Sequence, residues 1–296
     1  MEKKFDYLPY VLIAPGIAIL IFVYVWPLTS SVVWSLQYKY LLRMERARWV
    51  GLQNYIHFIK SPEFWTRVWT TVMYAGGTVI INFVIGIITA LALNRNIPGR
   101  DIFRAMIIIP WMLPTTIVAI TAEWLLSGLT GPINDLLMRF GFIKEPISFF
   151  GSVKWALPTM IFLTSWRSSP FVVVMILAAF QAIPKDLYEA ARVDGAGIWH
   201  RFLHITLPLA RPTIVVCLLL SYVWNFNFMD FIYVITRGGP ISTTEIIPLY
   251  IYFRLFQRYR FGEACALSVL SLLMLSIFMY FYIKVVWKGG GAQYSI

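Results

Sequence analysis

The sequence predicts an all-α polytopic membrane protein with six transmembrane helices. Three observations predict it. Of the 296 residues, 59% are hydrophobic and 13% charged, with a mean hydropathy of +0.71, whereas soluble domains run near about 45–50% apolar and about 25% charged. The apolar residues collect in six runs, each near the roughly 20 residues that cross a bilayer as a helix. None of the runs alternates with the dyad period of a barrel strand, which leaves helices to satisfy every backbone group in lipid. The composition alone excludes an ordinary soluble enzyme and a disordered chain.

The first run, 8–35, follows Lys3 and Lys4. It is long for the core of a secretory leader and no small-x-small site follows it, so it reads as a retained span. The other spans are 68–93, 105–126, 155–179, 211–235 and 264–287. Pro110 and Pro114 interrupt the third and Pro158 and Pro170 the fourth. Each removes a backbone donor and predicts a kink. Between the first two spans, Leu52, Tyr55, Ile56 and Ile59 recur at helical spacing, and Phe64, Trp65 and Trp69 follow. That pattern predicts a helix lying on the membrane surface.

The charges point to no acidic polymer. The net +11 is spread over segment ends and loops rather than gathered in a stripe, so nucleic acid is not expected as a partner. Lys and Arg also divide almost evenly between the two sides, 11 against 13 with Arg167 inside a span, so the positive-inside rule leaves orientation open. Cys217 and Cys265 lie in apolar runs and read as packing residues. His200 and His204 share a helix face without a third ligand nearby, so no metal site is predicted. No catalytic constellation of His, Asp or Glu occupies the spans, and there is no Gly-x-x-x-x-Gly-Lys-Ser/Thr loop for nucleotide.

The stretch 180–210 carries the most local information. Pro184 suits a helix start, Asp186 and Glu189 favour its first turns, and Gly195 can end it in a left-handed cap. A second amphipathic helix fits 197–206, with Ile198, Phe202 and Ile205 in one stripe, Trp199 and Leu203 widening it, and Pro208 closing it. Helices this short are marginal alone. They dock either on the chain's own membrane ends or in the groove of a partner. Inside span five, Ser221, Trp224, Asn225 and Phe228 stand at i, i+3, i+4 and i+7 and share one face. They read as helix–helix glue or as a solute site of hydroxyl, amide and aromatic groups. Arg167 either clamps an anionic solute or pairs with Asp230.

Glu189-Ala190-Ala191, Asp194-Gly195-Ala196 and Ile205-x-Leu207-Pro208 resemble the EAA loop of ABC-importer permeases. The likeness extends along nearly the whole chain. Leu8-Pro9-Tyr10, Ala14-Pro15 and Trp26-Pro27 resemble the first span of sugar permeases, and Gly51-Leu52-x-Asn54-Tyr55 the segment after it. Pro110-Trp111 with Pro114, and Trp166-Arg167-x-x-Pro170-Phe171, resemble spans three and four. Thr236-x-Gly238-Gly239-Pro240 with Thr243-Thr244 resembles the maltose and glycerol-phosphate type, specifically the first of its two permease subunits.

The resemblance implies that 1–296 forms one permease domain of a type I, binding-protein-dependent carbohydrate importer working by alternating access. It implies no enzyme activity on this chain: two partner ATP-binding subunits hold ATP and Mg. Glu189, Ala190, Ala191, Asp194 and Gly195 would contact the ATPase. Ser221, Trp224, Asn225 and Phe228, with Arg167, Ser168 and Phe171, would contact the solute. Maltose members carry asparagine where Phe228 stands, which leaves the solute open. The implied partners are a second permease subunit forming a heterodimer, the ATPase pair, an extracytoplasmic solute-binding protein and membrane lipid. The implied place is the bacterial or archaeal cytoplasmic membrane, with both termini cytoplasmic. The alternative is an ion-coupled secondary transporter, which would need an ion site and usually inverted repeats. The sequence displays neither.

Overall fold

A computed structural model of the chain describes residues 8–95 and 98–288. Lys3 and Lys4, and with them the N-terminus, lie outside the described residues, as does the stretch after 288. The chain forms two compact units, one of residues up to Phe64 with Tyr250–Met274, the other of Trp65–Leu249 with the residues from Leu275 onward.

In the first unit, α1 (Leu8–Leu20) and α2 (Trp26–Ser35) are joined by a π-turn at Ile21–Val25 into one span. Leu12, Phe22 and Trp26 on it are about two-thirds or more exposed, so its apolar sides are left to lipid or another protein. A hairpin follows, β1 (Gln37–Tyr40) antiparallel to β2 (Arg43–Trp49), with an irregularity between Tyr38 and Tyr40. From sequence, 36–67 is a connecting stretch with no strand signal; the strands are short, and β2 is exposed throughout, so it shows no half-buried alternation. The expected surface helix is α3 (Gln53–Lys60). Leu52, Ile56 and Ile59 face outward, while the amide of buried Asn54 donates to the Ser35 and Gln37 carbonyls at 2.7 and 3.1 Å and pins the helix to the end of the first span. The last span, α14 (Phe261–Lys288), starts against the hairpin. A Cβ on Gly262 would run into the Gln37 carbonyl, so only glycine allows that approach. Glu263 on α14 accepts from Arg254 at 2.9 Å and also pairs with Arg260.

In the second unit, the long helices are α4 (Pro62–Leu93, from Trp65 onward), α8 (Ala156–Gln181) and α11 (Leu207–Asn227). The third predicted span is not one straight helix. It consists of α5 (Arg100–Met112) and α6 (Thr115–Leu125), bent by 91°. The cause is Pro114: it forces the preceding Leu113 out of the helical region, to φ −70° and ψ 136°, as a following proline does. Among the described residues, five helices are long and apolar enough to cross a membrane, six if the bent pair counts as one. A short helix, α7 (Pro132–Arg139), occupies the loop that follows.

The main core lies where α4, α8 and α11 meet. Ala90 and Leu93, Val172, Ile176 and Phe180, and Ala210, Ile214 and Cys217 pack together. A Cβ on Gly86 would come within 2.8 Å of Val172 Cγ1, so the missing side chain sets how closely α4 and α8 approach. Both cysteines are buried and free. Tyr74 on α4 hydrogen-bonds Thr164 on α8 at 2.8 Å. The end of α14 packs back on α11, where Tyr222 stacks on Phe278 with ring centroids 4.0 Å apart. The start of α4 is tied to the segment before α13 (Ile247–Tyr252) by the buried Arg67–Glu245 pair at 2.6 Å and by the Ile247 N–H donating to Thr71.

The loop predicted as two helices is α9 (Lys185–Val193) and α10 (Ile198–Arg201). Here the expectation needs correction. Pro208 does not close the second helix. A π-turn at Phe202–Thr206 carries it directly into α11, and Pro208 falls in the first turn of α11, where its missing N–H is tolerated. The far end of α11 breaks at Phe228, which is extended at φ −85° and ψ 94°, before α12 (Asp230–Ile235).

Candidate functional site

The seven residues expected near solute converge. Arg167, Ser168 and Phe171 on α8, with Ser221, Trp224, Asn225 and Phe228 at the end of α11, line one cavity of about 90 Å³, together with Trp111 of α5 and Thr164 of α8. Period 3.6 puts the α11 residues on one face, and the break at Phe228 turns that residue toward the same space as the face above it. Three rings form one wall: Phe171 lies 4.7 Å from Trp224 and 6.2 Å from Trp111, centroid to centroid, both tilted. Such rings offer the flat apolar faces that sugar rings stack on.

The polar wall has a direction. Asn82 of α4, fully buried, donates to Ser168 Oγ at 2.8 Å, and Ser168 in turn donates its hydroxyl to the Thr164 carbonyl at 2.7 Å. With its proton committed, Ser168 meets a solute only as an acceptor. The two Asn225 amide N–H groups are directed at the Ser221 carbonyl at 2.7 Å and the Ser221 hydroxyl at 3.3 Å, which leaves its oxygen to accept. Arg167 is the opposite: it is donor-only, its guanidinium carbon sits 5.5 Å from the Phe228 ring centroid, and among the described residues its buried Nε has no hydrogen-bond partner. Asp230, weighed as its internal partner, acts on it only through space, and no ion pair joins the two among the described residues. The cavity therefore presents a cation beside acceptors and aromatic faces. Asn82, Thr164 and Trp111 were not singled out for this site from the sequence. Trp111 was visible only as half of the Pro110-Trp111 resemblance.

The loop residues Glu189, Ala190, Ala191, Asp194 and Gly195 lie together at the end of α9, far along the chain from the cavity-lining part of α11. That end is a Schellman motif: the Ala196 N–H bonds to the Ala191 carbonyl at 2.8 Å and the Gly195 N–H to the Arg192 carbonyl at 3.0 Å, with Gly195 at φ +75°. Tyr188 reaches Thr206 at 2.9 Å and ties α9 to the start of α11. Otherwise the loop is open. Glu189, Ala190, Asp194 and Gly195 are exposed, as are Val193, Ile198 and Trp199, the last 76% exposed. His200 and His204 stack with centroids 4.0 Å apart, and among the described residues no group of three or more His, Cys, Asp or Glu could hold a metal.

The pattern of binding-protein-dependent transport system inner membrane components matches residues 82–286. The chain belongs to this family. It is a multi-pass inner-membrane permease rather than an enzyme. Similar relatives include the trehalose/maltose transport system permease protein MalF of Thermococcus litoralis, 33% identical over 94% of this chain and 93% of that one. The sulfoquinovosyl glycerol transport system permease protein SmoG of Agrobacterium fabrum is 33% identical over 93% and 89%. Among solved structures, a bacterial alginate ABC transporter in complex with an alginate pentasaccharide-bound periplasmic protein superposes with a TM-score of 0.82 at 23% identity, over 97% of this permease and 96% of the other chain. The permease thus has the type I ABC-importer fold.

Proposed function

We propose that this permease is one of the two membrane subunits of an ATP-driven importer for a carbohydrate, the first-subunit type of a heterodimer, with 1–296 acting as one permease domain. The observation that carries the reading is the convergence of seven hydroxyl, amide, cationic and aromatic side chains from α8 and α11 on one intramembrane cavity. Sugars need that mixture: acceptors and donors for hydroxyls, and rings for their apolar faces. The sugar-transport names of the similar permeases support the same class. The cavity of about 90 Å³ is the share of the site that this chain alone supplies. The second permease subunit supplies the other wall, and the exposed first span is a surface on which such a subunit can pack.

A solute-binding protein delivers the sugar on the outer side. ATP and Mg sit on two ATPase subunits, and Glu189, Ala190, Ala191, Asp194 and Gly195 seat in a cleft of one of them. The support is that this loop is ordered by its own cap yet exposes its apolar residues. This arrangement puts the loop and both termini on the cytoplasmic side. ATP shifts the permease pair outward only through its differential affinity for the closed ATPase dimer.

The test is reconstitution with the partner subunits in liposomes. Uptake of a labelled glycan should require ATP inside and binding protein outside, and deleting residues 189–195 should abolish uptake while leaving basal ATPase of the nucleotide-binding subunits. Uptake driven by an ion gradient without ATP would replace this reading with the secondary-transporter one.

A further inference from the structure

The second unit has another cavity, separate from the one just described. It is an open cleft of about 250 Å³ between the end of α4, the stretch 104–108 of α5 and the stretch 173–181 of α8. Its walls are apolar, including Leu93, Ile107, Val174 and Leu177. Its polar residues are Arg104 and Gln181. Leu93 ends α4, Gln181 ends α8, and Arg104 follows the start of α5 by one turn. The polar residues therefore sit at the ends of three apolar helices, the level expected at a membrane–water interface, and the apolar walls run inward from there.

Arg104 is short of acceptors. Its Nη1 has only a loose approach of 3.7 Å to the exposed Asp101. Its Nε and Nη2 are sealed from solvent and have no hydrogen-bond partner among the described residues. Buried guanidinium N–H groups without an acceptor are costly, and native proteins satisfy them. The side chain is still 29% exposed, and the cleft it lines is the open side of its charge. The loop entering α5 adds to the field: residues 94–104 carry Arg95, Arg100 and Arg104 against the single acid Asp101. Basic pockets between membrane helices at the interface are where anionic headgroups bind.

We propose that this cleft binds one anionic phospholipid, its phosphate pairing with the exposed edge of the Arg104 guanidinium and an acyl chain lying along Ile107, Val174 and Leu177. A soluble anion satisfies the guanidinium but leaves the apolar walls bare, and a zwitterionic lipid brings no net charge to the arginine-rich loop. Lipid is the occupant that fits both halves.

The permease, purified with its partner subunits in mild detergent, is titrated with palmitoyl-oleoyl phosphatidylglycerol, with phosphatidylcholine of the same chains, or with inorganic phosphate. Bound lipid is counted by native mass spectrometry, and unfolding midpoints are recorded. Phosphatidylglycerol should leave one retained adduct and raise the midpoint. Phosphatidylcholine and phosphate should do neither. Arg104→Gln should weaken the adduct about tenfold, which is about 1.4 kcal/mol. Val174→Trp, at a residue already half exposed, should fill the groove and displace the adduct while keeping Arg104 and the fold. Phosphatidylglycerol binding unchanged in either variant, equal retention of phosphatidylcholine, or stabilisation by phosphate alone would each overturn the proposal.

Discussion

Gly195 isolates the backbone's part in coupling. It holds φ +75° at the end of α9, and a Cβ there would meet nothing within 4 Å among the described residues. A side chain at this position therefore acts through conformation, not collision. Placing an L-residue in the left-handed region costs roughly 1–2 kcal/mol, with a β-branched residue at the upper end. At about 1.4 kcal/mol per factor of ten, Gly195→Val lowers the ratio of capped to uncapped forms by about five- to thirtyfold. Little else holds this end. The nine-residue α9 has no buried side chain, and so short a helix has almost no stability of its own. Uptake and binding-protein-stimulated ATPase, measured together in liposomes containing the partner subunits, should both fall, by up to that factor, if the ATPase recognises the capped form. Gly195→Asn is the control, because asparagine visits the left-handed region readily, and it should retain most of the coupling. The unfolding midpoint should be unchanged in both, since the loop lies outside the cores. Full coupling in Gly195→Val would refute the reasoning. Equal damage from valine and asparagine would show that the contact surface matters, rather than the backbone.

Three further outcomes follow from particular contacts. Glu245→Ala leaves Arg67 charged and buried without its 2.6 Å partner; removing one member of such a pair costs about 3–5 kcal/mol, so the unfolding midpoint of the detergent-purified protein should fall by several degrees, and a shift within error would count against the pair's role. Gly86→Val forces side-chain atoms against Val172 and Ile176 and should destabilise by about 1–3 kcal/mol through overpacking, with Gly86→Ala in the same direction and smaller. Arg167→Ala, with expression intact, should reduce uptake of an anionic glycan at least tenfold while changing uptake of a neutral one far less, because a charge-assisted hydrogen bond is worth about 1.5–3 kcal/mol; unchanged anionic uptake would remove Arg167 from the solute site.

What the sequence revealed and what it hid divide along a physical line. A span must supply its own run of apolar residues, so all six runs were visible as composition. A helix face is a local periodicity, so Ser221, Trp224, Asn225 and Phe228 could be grouped from spacing alone. A helix cap is local too, and Gly195 was legible as one. Contacts between helices are not local. Nothing in the spacing of α8 tells that Arg167, Ser168 and Phe171 meet the α11 residues; only the family resemblance brought them together. Asn82 shows the same limit, since its partner Ser168 is 86 residues away and an asparagine in an apolar run carries no signature of whom it faces. Pro208 shows a different one. In sequence, proline reads as a stop, because it lacks the N–H that an α-helix needs. The π-turn before it changes which carbonyls are left for later N–H groups to reach, and so lets the helix run on. This continuity bears on mechanism. The second loop helix is fused to α11, and Tyr188 ties α9 to Thr206 at the junction, so the exposed loop and the helix that carries Ser221, Trp224 and Asn225 form one continuous element.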